Sequence, residues 1–107
     1  MQELTSRSEE VADLLKAMAN SHRLLILCEL NNGERSVSEL EAVVPLSQSA
    51  LSQHLARLRA DRLVNARRDA QKICYSLAGP KVERMVGLLH EMFCEGDCNA
   101  TASKDRS

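Results

Sequence analysis

Aromatic side chains are almost missing from this chain. Tyr75 and Phe93 are the only two in 107 residues, and there is no tryptophan. A core without rings must be assembled from Leu, Val, Ile, Met and Ala, which favours packed helices. A chain this short with so thin a core often gains stability by pairing with a second copy. Long apolar runs are also lacking: no stretch approaches the ~20 residues of a membrane helix, so no membrane partner is expected. The first residues are polar and acidic, with no basic segment leading into an apolar one, so no signal peptide is expected and the chain reads as cytoplasmic. Catalytic patterns are wanting too. There is no pair of carboxylates, no Ser-His-Asp pattern and no Gly-rich phosphate loop, and Cys94-Glu95-Gly96-Asp97-Cys98 lacks Cys-x-x-Cys spacing. The chain therefore reads as a non-enzyme that needs no cofactor.

A large net charge is absent as well, at −1 overall, but the charges are unevenly placed. Residues 1–46 hold four basic and eight acidic side chains, residues 47–72 hold six and two, and residues 73–107 hold four and five. A locally positive segment beside a locally negative one is the asymmetry expected when one face meets phosphate. Four cysteines are present, Cys28, Cys74, Cys94 and Cys98. In a reducing compartment they point away from a permanent disulfide framework and towards a sensor, a metal site or buried apolar fillers.

The densest signal lies in residues 36–60, SVSELEAVVPLSQSALSQHLARLRA. Ser36 and Glu39 have capping-box spacing and open a short helix with Val37, Leu40 and Val43 inward. Val44-Pro45-Leu46 turns the chain, and Ser47 caps a second helix that ends near Ala60. Leu51, Leu55 and Leu58 form its apolar stripe. The opposite face carries Ser49, Ser52, Gln53 and Arg57, and no carboxylate occurs between Glu41 and Asp61. Small hydroxyls, an amide and a cation suit a helix that enters a DNA groove; a merely solvated face would carry several Glu and Lys.

The flanking segments complete a module. Ser6 and Glu9 have capping-box spacing, and Val11, Leu14, Leu15 and Met18 recur at helical intervals, giving a helix near 8–19. Asn20 caps a second helix over about 21–31, with Leu24, Leu25, Leu27 and Cys28 inward, stopped by Asn32-Gly33. Residues 63–68 and 72–77 read as two strands joined around Asp69-Ala70-Gln71, with Arg67, Arg68 and Lys72 flanking the tip. Ile73, Tyr75 and Leu77 share one parity, Cys74 and Ser76 the other. Pro80 starts a last helix with Val82, Met85, Val86, Leu89 and Phe93 on one stripe and Gly96 at its end. The expected order is α-α-α-α-β-β-α, a winged helix-turn-helix over residues 1–95. Residues 96–107 are expected to form a mobile tail without an apolar anchor. The stripes Val11/Leu14/Leu15/Met18 and Val82/Met85/Val86/Leu89 exceed what a monomer of this size buries, so they are expected to pair across a two-fold axis in a homodimer.

The segments LLKAMANSHRLLILCEL (14–30), RSVSELEAVVPLSQSALSQHLARLRADRLV (35–64) and ARRDAQKICYSL (66–77) resemble the ArsR/SmtB family of dimeric winged-helix repressors. The resemblance implies that the helix after Ser47 is the recognition helix and the hairpin is the wing. It implies DNA-facing positions at Ser47, Gln48, Ser49, Ser52, Gln53, His54 and Arg57, with wing contacts at Arg67, Arg68, Gln71 and Lys72, on an inverted repeat. One departure is Arg62, where the family usually has glycine before the first strand.

The resemblance also bears on the effector. The family's thiolate metalloid site lies in a stretch like ELCVCDL, which here reads ERSVSEL, with Ser36 and Ser38 where thiolates would stand. A hydroxyl is a poor ligand for a soft ion. The family's zinc site needs an Asp-x-His pair near the start of the last helix, and Ala78-Gly79-Pro80-Lys81 offers none. Cys28 after RLLIL, and Cys94 closing Leu88-Leu89-His90-Glu91-Met92-Phe93-Cys94, resemble the persulfide-sensing BigR/SqrR-like and HlyU-like branch. The resemblance implies that one thiolate takes up a sulfane sulfur and the other captures it as a disulfide or polysulfide bridge. Cys74, mid-strand, reads as a filler. Two alternatives stand beside this reading. One is a metal- or metalloid-responsive repressor using His90, Cys94 and Cys98 at steps of four, together with Cys28. The other is a dimeric adaptor that does not bind DNA.

Overall fold

In the computed structural model, which describes residues 7–94, five α-helices and a small antiparallel sheet follow one another. They are α1 (Ser8–Met18), α2 (Ser21–Leu30), β1 (Arg35–Ser36), α3 (Val37–Val43), α4 (Gln48–Ala60), β2 (Val64–Asp69), β3 (Lys72–Leu77) and α5 (Pro80–Leu89), with a π turn at His90–Cys94. The sheet order is β1-β3-β2. The expected helices and hairpin are all present. The tail from residue 96, the helix end at Gly96, and Ser6 lie outside the described residues.

Local chemistry accounts for most of the boundaries. Asn20 Oδ1 accepts from the backbone N–H groups of His22 and Arg23 at 3.0 and 3.1 Å, satisfying the exposed donors at the start of α2. Arg23 Nε donates to the Ala17 carbonyl at 2.6 Å, so the start of α2 is also tied to the last turn of α1. The capping box of α3 is complete. Ser36 Oγ accepts from the Glu39 N–H at 3.2 Å, and a Glu39 carboxylate oxygen accepts from the Ser36 N–H at 2.8 Å. That second bond holds the Glu39 carboxyl below the usual carboxylate range. Ser47 Oγ accepts from the Ala50 N–H at 3.2 Å. The N-cap of α1 is Arg7, which makes no side-chain cap.

The core runs through all the helices. Ile26, Leu27 and Leu30 of α2, Leu40 of α3, Leu51, Leu55 and Leu58 of α4, Leu63, Val64 and Leu77 at the sheet, and Val82 and Val86 of α5 are all buried. Three inward assignments need correction. Leu25 is exposed and Ile26 takes its place, because the buried arc of α2 is narrower than its run of apolar residues. Val43 is 52% exposed, while Val44, at the extended cap beyond the helix, is buried. The chain leaves helical geometry at Val44, which swings that side chain inward. Phe93 is 66% exposed, since it lies in the π turn, where the α-helical stripe loses its phase.

β1 was not expected. Two residues are too short to show a period, and their pairing is set from outside, with Arg35 opposite Tyr75 and Ser36 opposite Cys74. The same pairing covers Cys74, which is 8% exposed, whereas Ile73 near the projecting wing tip is exposed. The parity of β3 therefore does not separate a buried from a solvated face.

Candidate nucleic-acid interface and thiol positions

Rigid backing fixes the outer face of α4. Its leucine stripe is fully buried, and the turn from Val44 to Ser47 sets it against α3. Ser47, Gln48, Ser49, Ser52, Gln53 and Arg57 are exposed on the other side. Four of the seven expected positions are engaged within the protein. Ser47 caps the helix, and its hydroxyl lies 3.5 Å from that of Ser49. Arg57 Nε donates to Asp61 at 2.8 Å, one turn further on. His54 is half-buried, its ring 5.9 Å from that of His22 at the start of α2. Burial, then the charges of Arg23 and His22, push the His54 imidazole below its usual pKa.

The wing projects beside this face. β2 and β3 pair from Val64 opposite Leu77 to Asp69 opposite Lys72, leaving Ala70-Gln71 as a two-residue turn. Ala70 takes a φ of 59°, the positive value that tight hairpin turns require. Arg68, Gln71 and Lys72 are exposed at the tip. Arg67 is also exposed but is engaged: its Nε and Nη2 donate to the two carboxylate oxygens of Glu34 at 3.0 and 2.7 Å. That bidentate pair keeps Glu34 below the usual carboxylate range.

Between α4 and the wing lies an open cleft of about 840 Å³. Gln48, Ser52, Gln71 and Lys72 line it, so the cleft joins helix and wing positions into one surface. Arg59 lines it too and was not among the expected contacts. The spacing Ser52, Ala56, Arg59 marks a second stripe on α4, facing the wing, and this could have been read from the sequence. Glu34 could not, since nothing local couples it to a residue 33 positions away.

The thiols are spread along the chain. Cys28 is half-buried on α2, and Cys74 is buried in mid-β3. Cys94 closes the π turn; its side chain, and all of Cys98, lie outside the described residues. His90 is half-buried at the end of α5. Among the described residues no three His, Cys, Asp or Glu side chains gather as metal ligands, and the expected His90/Cys94/Cys98 set falls mostly outside them. The expected dimer residues divide. Met18, Val82 and Val86 are buried within the protomer, because their stripes turn towards α2 and the core, and so they have little area left for a second subunit. Val11, Leu14, Met85 and Leu89 are half-buried. Leu15 is 51% exposed, as are, to a similar or greater extent, Leu88, Met92 and Phe93.

This helix-turn-helix with its wing has counterparts. A family model described as "Bacterial regulatory protein, arsR family" matches residues 20–66, from the cap of α2 into β2. Over 97 residues the chain is 50% identical to the transcriptional activator HlyU of Vibrio cholerae serotype O1, covering 91% of this chain and 90% of that one. The chain belongs to the ArsR family. Solved structures of family members share its winged-helix fold. Reduced HlyU from Vibrio cholerae N16961 has a TM-score of 0.82 at 52% identity, covering 88% of this chain and 99% of that one. The transcriptional repressor BigR from Xylella fastidiosa has a TM-score of 0.78 at 39% identity, covering 87% and 95%. This ArsR-family chain is a DNA-binding transcriptional regulator, and the relatives named here are regulators rather than enzymes. Among the described residues no helix is long and apolar enough to cross a membrane.

Proposed function

We propose that this ArsR-family regulator is a cytoplasmic homodimeric repressor whose grip on an inverted-repeat operator is released when Cys28 and Cys94 are bridged by reactive sulfur. The observation that carries the reading is the pair of positions. One thiol lies on α2, which packs under the recognition helix, and the other closes the turn after α5, next to the exposed Leu88, Met92 and Phe93. These residues and Leu15 are exposed apolar side chains, and Val11, Leu14, Met85 and Leu89 are half-buried; all of them would suit contact with a second copy. A bridge between the two thiols ties the DNA-reading half of a subunit to its dimer face, and so can change the relative placement of the two recognition helices. Gln53 and Ser49 read base edges, while Arg67 and Lys72 meet phosphate. That one relative is described in its reduced form and another as a repressor is in keeping with this reading.

The chemistry balances with a sulfane-sulfur donor alone. A cysteine thiolate takes the outer sulfur of a persulfide and the donor leaves as its thiolate. The second cysteine thiolate then displaces hydrosulfide to leave a disulfide. With a polysulfide donor, itself the two-electron oxidant, the first thiolate breaks an internal S–S bond and keeps several sulfurs while the shortened polysulfide leaves. The second thiolate then displaces the terminal hydrosulfide, so additional sulfur atoms remain within the bridge.

Intact mass and duplex titration test this together, on wild type, Cys28→Ser, Cys94→Ser and Cys74→Ser treated in turn with polysulfide, peroxide and zinc. Wild type and Cys74→Ser should gain sulfur mass and release DNA with polysulfide. Cys28→Ser and Cys94→Ser should bind DNA when reduced and ignore the inducer. Release of wild type by zinc alone would instead establish the metal reading.

A further inference from the structure

We infer that Glu34 is a built-in competitor for DNA phosphate, a carboxylate latch that holds the wing arginine Arg67 until the backbone of the duplex replaces it. The inference rests on the reading of Arg67 as a phosphate contact and adds a residue that opposes it. Glu34 lies just ahead of β1 and Arg67 on β2, with β3 between them, so the pair spans the width of the sheet. Its two parallel N–H···O bonds have the fork geometry that a guanidinium makes with a phosphate just as well. The same donors cannot serve both acceptors. Forming the wing contact thus requires breaking the Glu34 pair, and Glu34 then stands as a bare carboxylate near the duplex.

The other cations of the wing are placed differently. Arg68 and Lys72 are exposed towards the tip, Arg68 opposite Ile73 and Lys72 opposite Asp69 in the ladder. Arg67 sits deeper, opposite Cys74, where its side chain reaches back across the sheet. The latch therefore draws one positive charge away from the tip in the DNA-free protein and lowers affinity for any sequence, because phosphate contacts carry no base information. A regulator that must let go of its operator gains from an affinity held below its maximum.

A four-member cycle of wild type, Glu34→Gln, Arg67→Gln and the double variant tests this, using a short duplex of arbitrary sequence between ~50 and ~200 mM salt. Both sites of change are on the surface, and thermal unfolding confirms that each variant is folded. Glu34→Gln should tighten binding by roughly two- to fivefold per subunit, the range an exposed ion pair spans. Most of that gain should vanish in the Arg67→Gln background. An equal gain in both backgrounds would reduce Glu34 to one more negative charge near DNA and overturn the latch, as would no gain at all. If Arg67→Gln alone leaves binding unchanged, the wing contact itself is wrong and the latch falls with it. If Arg67→Gln weakens binding while Glu34→Gln does nothing, only the latch falls.

Discussion

The recognition helix and the wing solve the same problem in opposite ways. On α4 the buried face does the positioning: Leu51, Leu55 and Leu58 are locked in the core, Ser47 caps the first turn, and the outer face keeps Ser49, Ser52 and Gln53 exposed. On the wing no core lies beneath the tip, and position is set by strand pairing and by the Glu34–Arg67 pair across the sheet. The first turns of the helix present short, neutral side chains on a rigid backing, with Arg57 and Arg59 confined to its last turn. The wing presents long cations whose geometry is adjustable, as phosphate binding tolerates. On the proposed reading, specificity and affinity fall on different parts of one fold.

The sharpest way to break the contrast is to remove the support under α4. Leu55→Ala leaves a cavity beneath the middle of the helix and should cost about 2–5 kcal/mol in urea unfolding, with operator binding lost in proportion to folded protein. A loss below 1 kcal/mol would mean that α4 is not anchored by its stripe. Next in size is Gln53→Ala, which removes no core contact. It should cost about 1–3 kcal/mol on a selected inverted repeat and little on arbitrary duplex. Equal losses on both would move Gln53 from base reading to backbone contact.

Legibility in the sequence follows the same division. The helices could be read because their signals are local: Ser36 with Glu39, Ser47 with Ala50, Asn20 with His22 and Arg23, and the spacing of the α4 leucines. β1 was invisible because two residues acquire strand geometry only through Tyr75 and Cys74 of a distant strand. Glu34 was missed for the same reason. Val43 and Val44 were interchanged because a cap in extended geometry shifts which side chain points inward. The sequence expectation assigns both interface stripes to pairing across a two-fold axis, although a periodic stripe cannot say whether its partner is the protomer's own core or a second copy. Met18, Val82 and Val86 belong to the first, and Leu15 is left exposed.

Arg62 joins the two regions and shows what a departure from family pattern means physically. It takes a φ of 64° in the turn between α4 and β2, a left-handed conformation that costs a residue with a Cβ more than it costs glycine. Arg62→Gly should therefore stabilise the protein by up to about 1 kcal/mol, the relief of strain being partly offset by the greater freedom of glycine in the unfolded chain. Urea midpoints measure this, and destabilisation would show that the Arg62 side chain contributes more than its backbone strain costs. The wing's position relative to α4 should be unaltered, so affinity for arbitrary duplex should change little.

The smallest effect concerns protons, and it separates helix from wing without disturbing either. His54 on α4 has a depressed pKa, from burial first and then from Arg23 and His22. Above the ordinary histidine pKa of about 6.5 both folded and unfolded chains hold it neutral, and its contribution to stability is fully present. As pH falls through that value the unfolded chain takes the proton first, so stability declines until the folded pKa is passed. His54→Gln should flatten that part of the decline between about pH 7.5 and pH 5.5, a window above the range in which Glu34 and Glu39 protonate. On DNA the sign reverses. Phosphate near α4 favours the imidazolium, so acidification over the same window should strengthen duplex binding by wild type more than by His54→Gln. Arg67 stays charged throughout this range, so its share of the affinity should be independent of pH. Matching pH profiles for wild type and His54→Gln would place His54 away from the phosphates.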